Sequence, residues 1–157
     1  MAGDGDTAER SRTTAASPTQ VWAVLGDVAR MPEWSEDLAS VELLEGDGRS
    51  PGSRFRGNNQ SGERKWSMTC VIDQYDDGRS LEFHTETDSG EIRTRWWYRI
   101  APASEGTTVT EGFQRVAKLG RLRAMAERKL IGDRADYNAR NIDASLERLA
   151  KVVEAAG

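Results

Sequence analysis

Two residues in this chain pair a reactive side chain with a position that turns it inward: Glu111 and Tyr98. In the stretch Thr107 to Arg115, Val109, Glu111 and Phe113 share one parity, so a strand there puts the carboxyl on its apolar face. Alternation sets Glu111 opposite Trp96 on the neighbouring strand. A carboxyl buried among aromatics holds its proton more tightly and is a candidate acid or base near neutral pH. A second reading stays open, in which Glu111 is structural and hydrogen-bonded to a neighbour such as Tyr98. Tyr98 in turn either offers its hydroxyl to a ligand carbonyl or is core with that hydroxyl satisfied.

Around this pair the chain supplies flat apolar surface. Trp66, Met68, Cys70 and Ile72 share a face of one strand, Leu81, Phe83 and Thr85 of a second, and Thr94, Trp96, Tyr98 and Ile100 of a third. Trp66, Phe83, Trp96 and Phe113 either stack on a planar ligand or fill the core. They face a helical stripe of Ile131, Ala135, Asn138, Ile142, Leu146, Leu149 and Val153, at three- and four-residue steps. The stripe is plain hydrocarbon from Ile142 to Val153. It is thin and partly polar from Ile131 to Asn141, so that upper half is expected to form one wall of a binding site, with Ile131 and Asn138 in it. Trp34, just after a helix break, is placed at the cavity mouth or as packing for the short helices.

The composition closes off other chemistries. Net charge is −4, so no global basic field awaits nucleic acid. His84 is the only histidine and Cys70 the only cysteine. Together they weaken Ser-His and Cys-His mechanisms and make a zinc site improbable. No metal and no cofactor is expected. Cys70 reads as a small buried hydrophobe, and His84 as a solvated side chain on the outer face near Arg95. Arg93, Arg95, Trp97 and Arg99 make a basic outer row that Glu82 and Glu86 neutralise from across the sheet.

The elements that must position these groups follow from pattern. The 157 residues read as a flexible tail over 1–9 and a single domain over 10–157. Arg10 to Ala16 is an opening strand. Ser17-Pro18-Thr19-Gln20 is a capping box with proline at the first helical position. That helix carries Val21, Val24, Leu25 and Val28 on one face and stops at Pro32, before a second short helical turn. Strands follow over Val41–Leu44, Arg54–Asn58, Trp66–Ile72, Leu81–Thr87, Ile92–Ile100 and Thr107–Arg115. A two-residue turn at Ser89-Gly90 would set Glu86 against Arg93, His84 against Arg95, Phe83 against Trp96 and Leu81 against Tyr98. From Lys118 the period turns helical. Lys118–Lys129 is amphipathic, its apolar side covering the cavity entrance, and Arg128–Ala155 is the long C-terminal helix, with Gly132 as a kink or restart and Asp133 as a cap. No apolar run approaches the ~18 residues that span a bilayer. No basic stretch followed by an apolar one opens the chain, so a cytoplasmic protein without stable membrane insertion is expected.

Ser17-Pro18-Thr19-Gln20-Val21-Trp22 through Leu25, Asp27-Val28, Pro32-Glu33-Trp34, Trp96-x-Tyr98, Gly106-Thr107-x-Val109-Thr110-Glu111 and Leu146-Glu147-Arg148-Leu149 together resemble the SRPBCC, or START-like and Bet v 1-like, helix-grip superfamily, in its bacterial polyketide cyclase/dehydrase-like branch. The resemblance runs from about Arg10 to Glu154. It implies an α+β fold in which a seven-stranded antiparallel curved sheet grips the C-terminal helix. Two short helices lie between strands 1 and 2, and a cavity takes a hydrophobic or aromatic small molecule. One part of the aromatase/cyclase pattern is missing: the cavity arginine has no assigned counterpart, since Arg64 turns inward with Trp66 only if that strand begins early.

Three functions remain in view. The first is a carrier or sensor of a hydrophobic, lipid- or polyketide-like small molecule. The second is a polyketide cyclase/dehydrase using Glu111 and Tyr98 as acid/base groups, with Trp34, Trp66, Met68, Phe83, Trp96, Phe113, Ile131 and Asn138 lining the same cavity. The third is an interaction module without a small ligand. A monomer or homodimer fits each.

Overall fold

The computed structural model describes residues 7–116, 121–131 and 134–156, the side chains of 123–124, 127, 130–131 and 134–135 excepted. The chain runs β1 (Thr7–Thr14), α1 (Pro18–Leu25), a 3-10 helix (Val28–Glu33), β2 (Leu38–Glu45), β3 (Arg54–Ser61), β4 (Arg64–Asp76), β5 (Ser80–Glu86), β6 (Ile92–Ala103), β7 (Gly106–Arg115), α2 (Arg121–Ile131) and α3 (Arg134–Ala155). The strands form one antiparallel sheet in the order β1-β7-β6-β5-β4-β3-β2. Each sequential strand from β2 to β7 pairs with the next, and β1 closes on β7.

Strand β1 begins at Thr7, so residues 7–9 belong to the sheet and not to a tail; the rest of the expected tail lies outside the described residues. The chain leaves the sheet at Ala15-Ala16, where the buried Thr107 hydroxyl donates to the Ala16 carbonyl at 2.8 Å. Gly106 lies beside this crossing at φ +145, and a side chain there would collide with the Thr14 carbonyl oxygen.

The capping box forms as its residues dictate. Ser17 Oγ accepts from Gln20 N at 3.2 Å, and Gln20 Oε1 accepts from Ser17 N at 2.8 Å. Helix α1 ends at Leu25, well before Pro32, which lies inside the 3-10 helix. The break falls at Gly26, where Tyr75 donates to the Gly26 carbonyl at 2.8 Å and the Trp22 ring leaves no room for a Cβ.

The β5–β6 register follows the aromatic pairs, Phe83 opposite Trp96 and Leu81 opposite Tyr98, with His84 opposite Arg95. The connecting turn differs from the expected one. Gly90 N donates to Thr87 O and Thr87 N to Glu91 O, so three residues, with Gly90 at φ +88, make the reversal. The extra residue shifts the pairing, and Glu86 meets Ile92 instead of Arg93.

The outer face is therefore wired differently from the expected ladder. Glu86 accepts from Arg54 and from His84 Nε2, both at 2.9 Å, which holds its carboxyl below the usual range, the His84 bond first. His84 is buried, not solvated. A bulge in β4 after Ile72 lets Asp73 reach its Nδ1 at 2.8 Å. Trp97 lies over Gly112, where a Cβ would collide with its ring. Across that bare glycine, Glu9 of β1 accepts from Trp97 Nε1 at 2.7 Å and Arg99 at 3.0 Å.

On the concave face, α3 buries Ile142, Leu146, Leu149 and Val153 against β1, β7 and α1. Each such residue contributes about 1.5–3 kcal/mol of burial. Helix is described over Arg121–Ile131 and Arg134–Ala155; what joins the two stretches, and with it the expected roles of Gly132 and Asp133, falls outside the described residues. Leu122 and Met125 of α2 are 82% and 65% exposed, so these two side chains face solvent and do not cover the cavity entrance.

Candidate functional site

A cavity of about 620 Å³ lies between the concave sheet face and α3. Six strands wall it: Leu38 from β2, Phe55 from β3, Trp66, Met68 and Cys70 from β4, Phe83 and Thr85 from β5, Trp96 and Tyr98 from β6, Glu111 and Phe113 from β7. Asn138 and Ile142 of α3 face them, and Ala126 of α2 closes part of the rim. The rings support one another: Trp96 and Phe113 are 5.1 Å apart, Phe55 and Phe83 meet edge to face at 5.4 Å, and Phe83 stacks on Tyr98 at 6.0 Å.

Glu111 is 4% exposed and opposes Tyr98 in the register, not Trp96, which opposes Phe113. The Tyr98 hydroxyl lies near enough to the Glu111 carboxyl for each to act on the other. Glu111 Oε1 has no hydrogen-bond partner among the described residues. Burial pushes the carboxyl up to about 8, against a smaller opposing pull from Tyr98, so Glu111 is mostly a neutral acid at pH 7. Burial, and then the Glu111 charge, pushes the Tyr98 hydroxyl well above its ordinary range. Arg10, the register partner of Glu111 on β1, is exposed and turns instead to Asp143 of α3 at 3.5 Å.

Asn138 is also 4% exposed, and its Nδ2 likewise lacks a partner among the described residues. Burial pushes the Cys70 thiol up to about 12, which removes it as a nucleophile near neutral pH. Trp34 takes the second of its two expected places, as packing, and not the cavity mouth. It is fully buried, edge-on to Tyr98 at 5.6 Å, and no part of the cavity wall. The 3-10 helix tucks it behind Tyr98, where it holds that ring in place. The Ile131 side chain lies outside the described residues.

The open end carries polar groups that strand alternation does not reveal. Ser35, Glu36 and Asp37 precede β2 and are tied to α3 by Asn141, Ser145 and Arg148, one face of that helix. Asn141 donates to Asp37 at 3.1 Å, Glu36 N donates to Ser145 Oγ at 3.0 Å, and Arg148 donates to the Ser35 carbonyl at 3.2 Å. Burial raises the Asp37 carboxyl, with the Glu36 charge adding to it. Arg64, Arg93 and Arg115 also line the space. Strand β4 begins at Arg64, whose guanidinium sits 4.9 Å above the Trp66 ring, so the early start that turns Arg64 inward is the one observed. Arg93 was expected outside with Arg95 and lines the cavity rim instead, next to the shifted turn. Arg115 shares the parity of Glu111 and Phe113, a signal present in the sequence. Asp37 lies in an aperiodic segment and has no such signal.

Among the described residues no cluster of His, Cys, Asp and Glu is arranged to hold a metal ion, and no helix is long and apolar enough to cross a membrane. A curved seven-stranded sheet closed by a C-terminal helix, with two short helices between the first strands, defines the helix-grip class. The chain belongs to the family of polyketide cyclase/dehydrase and lipid transport proteins, which matches residues 6–154. Among solved structures, TTHA0849 from Thermus thermophilus superposes with a TM-score of 0.75 at 18% identity, over 96% of this chain and 99% of the other. The ZhuI aromatase/cyclase from Streptomyces sp. R1128 gives 0.72 at 19%, over 94% and 93%. Ara h 8.0201 gives 0.62 at 15%, over 95% and 97%. At these identities the likeness is one of fold. No curated protein matches the chain in sequence.

Proposed function

We propose that this protein binds a hydrophobic or aromatic small molecule between sheet and α3, as a carrier or sensor working in the cytoplasm. The observation that carries this reading is the cavity itself. Its 620 Å³ falls in the range of about 300–1,000 Å³ common to small-molecule sites, and aromatic rings wall it on several sides. The family description, which includes lipid transport, supports the same class of ligand. Trp66 and Trp96 line the space, so a bound aromatic molecule will quench or shift tryptophan emission. The test is native mass spectrometry of protein purified from its own host, with emission titration of whatever is extracted. A protein that carries nothing and whose emission is unmoved by two- to four-ring aromatics has no such function.

A second reading is a cyclase or dehydrase using Glu111 and Tyr98 for proton transfer. It is favoured by one observation: a carboxyl titrating at about 8 with an unpartnered oxygen in the cavity wall. Glu111→Gln separates the two. Loss of turnover with binding retained supports the enzyme, and unchanged behaviour supports the carrier.

A further inference from the structure

We infer that α2 docks this protein on a bilayer surface bearing anionic headgroups, with Leu122 and Met125 entering the lipid and Arg121, Arg128 and Lys129 meeting the headgroups. The docking rests on α2 alone; only its consequence for a ligand depends on the cavity being a ligand site.

The chain is acidic, with a net charge of −4. Helix α2 has the opposite sign: its sequence, RLRAMAERKLI, holds four cationic residues and one acidic one. Its described side chains, Arg121, Leu122, Met125, Ala126, Arg128 and Lys129, are all exposed. Leu122, Met125, Ala126 and Lys129 stand three and four residues apart and so share a face. Arg121 and Arg128 flank that face, four residues before Met125 and three after it. The fold thus leaves a leucine and a methionine bare and rings them with cations. A helix of this kind lies in the plane of a membrane interface: its apolar side chains enter the acyl boundary, and the long cationic ones reach back to phosphate. Eleven residues are too few to span the bilayer.

The composition of α2 selects lipid over other acidic partners. Protein interfaces favour aromatic residues and disfavour lysine, whereas α2 has no aromatic residue and places Lys129 on its apolar face. Single-stranded nucleic acid needs stacking rings, which α2 lacks. The exposed apolar pair of β2, Leu43 and Leu44, lies between Glu42 and Glu45, carboxylates that an anionic surface repels. Ala126 also lines the cavity, so a docked α2 lays that part of the rim against the leaflet. A sparingly soluble ligand then passes between acyl chains and the aromatic wall with little apolar surface exposed to water on the way.

The experiment is cosedimentation of the full chain with vesicles of phosphatidylcholine, alone or mixed in equal parts with phosphatidylglycerol. The mixed vesicles should bind the protein, the neutral ones hardly at all, and high salt should weaken the binding. Arg128→Gln with Lys129→Gln should weaken it about fivefold for each cation removed. Leu122→Ser with Met125→Ser should weaken it about tenfold or more. Cys70 is buried, so a polarity-sensitive dye on Met125→Cys labels α2 alone. Its emission should shift blue on mixed vesicles, and that of the same dye on Leu43→Cys should not. No binding to mixed vesicles, equal binding to both kinds, or binding undiminished by salt overturns the inference and leaves the cavity reading standing. Binding that survives both pairs of substitutions also overturns it, as does a blue shift at Leu43 and not at Met125. The dye decides the matter even if a pair of substitutions disturbs α2.

Discussion

A neutral Glu111 makes stability depend on pH in a way that one substitution removes. The carboxyl titrates at about 8 in the folded chain, against an ordinary value of 4.5. Its folded-state value is raised, so its contribution is fully present below the ordinary value and is lost as pH rises through the folded one. At 1.36 kcal/mol per unit, the unaltered protein should lose about 4 kcal/mol between pH 5 and pH 9 relative to Glu111→Gln, which has no proton to release. The groups facing Glu111 do not obscure this. Tyr98 on β6 titrates well above the window, Cys70 on β4 is pushed to about 12, and Asn138 on α3 does not titrate. Urea unfolding of both proteins at half-unit intervals, followed by far-UV circular dichroism, measures the difference directly. Parallel curves from pH 5 to pH 9 would refute a buried, neutral carboxyl at this position.

Tyr98→Phe removes the hydroxyl that opposes the effect of burial on Glu111, so the same transition should move to still higher pH. Leu149→Ala deletes a fully buried side chain that α3 presents to the core and should cost about 2–5 kcal/mol in urea unfolding. Ser17→Ala opens the capping box and should cost about 1 kcal/mol, with no change in ligand-induced emission.

Strand parity carried much of what could be read in the sequence. A strand offers two faces, and an aromatic, a methionine or a carboxyl on the apolar parity has one place to go. That put Trp66, Met68, Phe83, Trp96, Tyr98, Glu111 and Phe113 in one wall and paired Phe83 with Trp96. Parity does not count residues in a turn, and the third residue of the turn between Thr87 and Glu91 moved Glu86 from Arg93 to His84 and Arg54. Nor does it see a bulge, which is why Asp73 reaches His84. Trp34 stayed open between cavity mouth and packing because pattern does not give the direction of a side chain at the end of a 3-10 helix, with three residues per turn. Asp37 went unnoticed because its partners are a helix face more than a hundred residues away, a contact that only tertiary folding creates.

Helix α3 lies chiefly along β1 and β7, at one edge of the sheet, while β3, β4 and β5 contribute their side chains to open space. On the proposed reading, firmness and selectivity therefore reside at opposite ends of one helix. The Ile142–Val153 end is sealed in hydrocarbon and tolerates little change, whereas Tyr137, Asn138 and Asn141 at the other end line the cavity. Substitutions there, or at Trp66 and Phe83 across the gap, can alter what the protein recognises while the sealed end keeps the chain folded. An architecture with this separation can acquire new ligands by small steps, each one surviving as a folded protein.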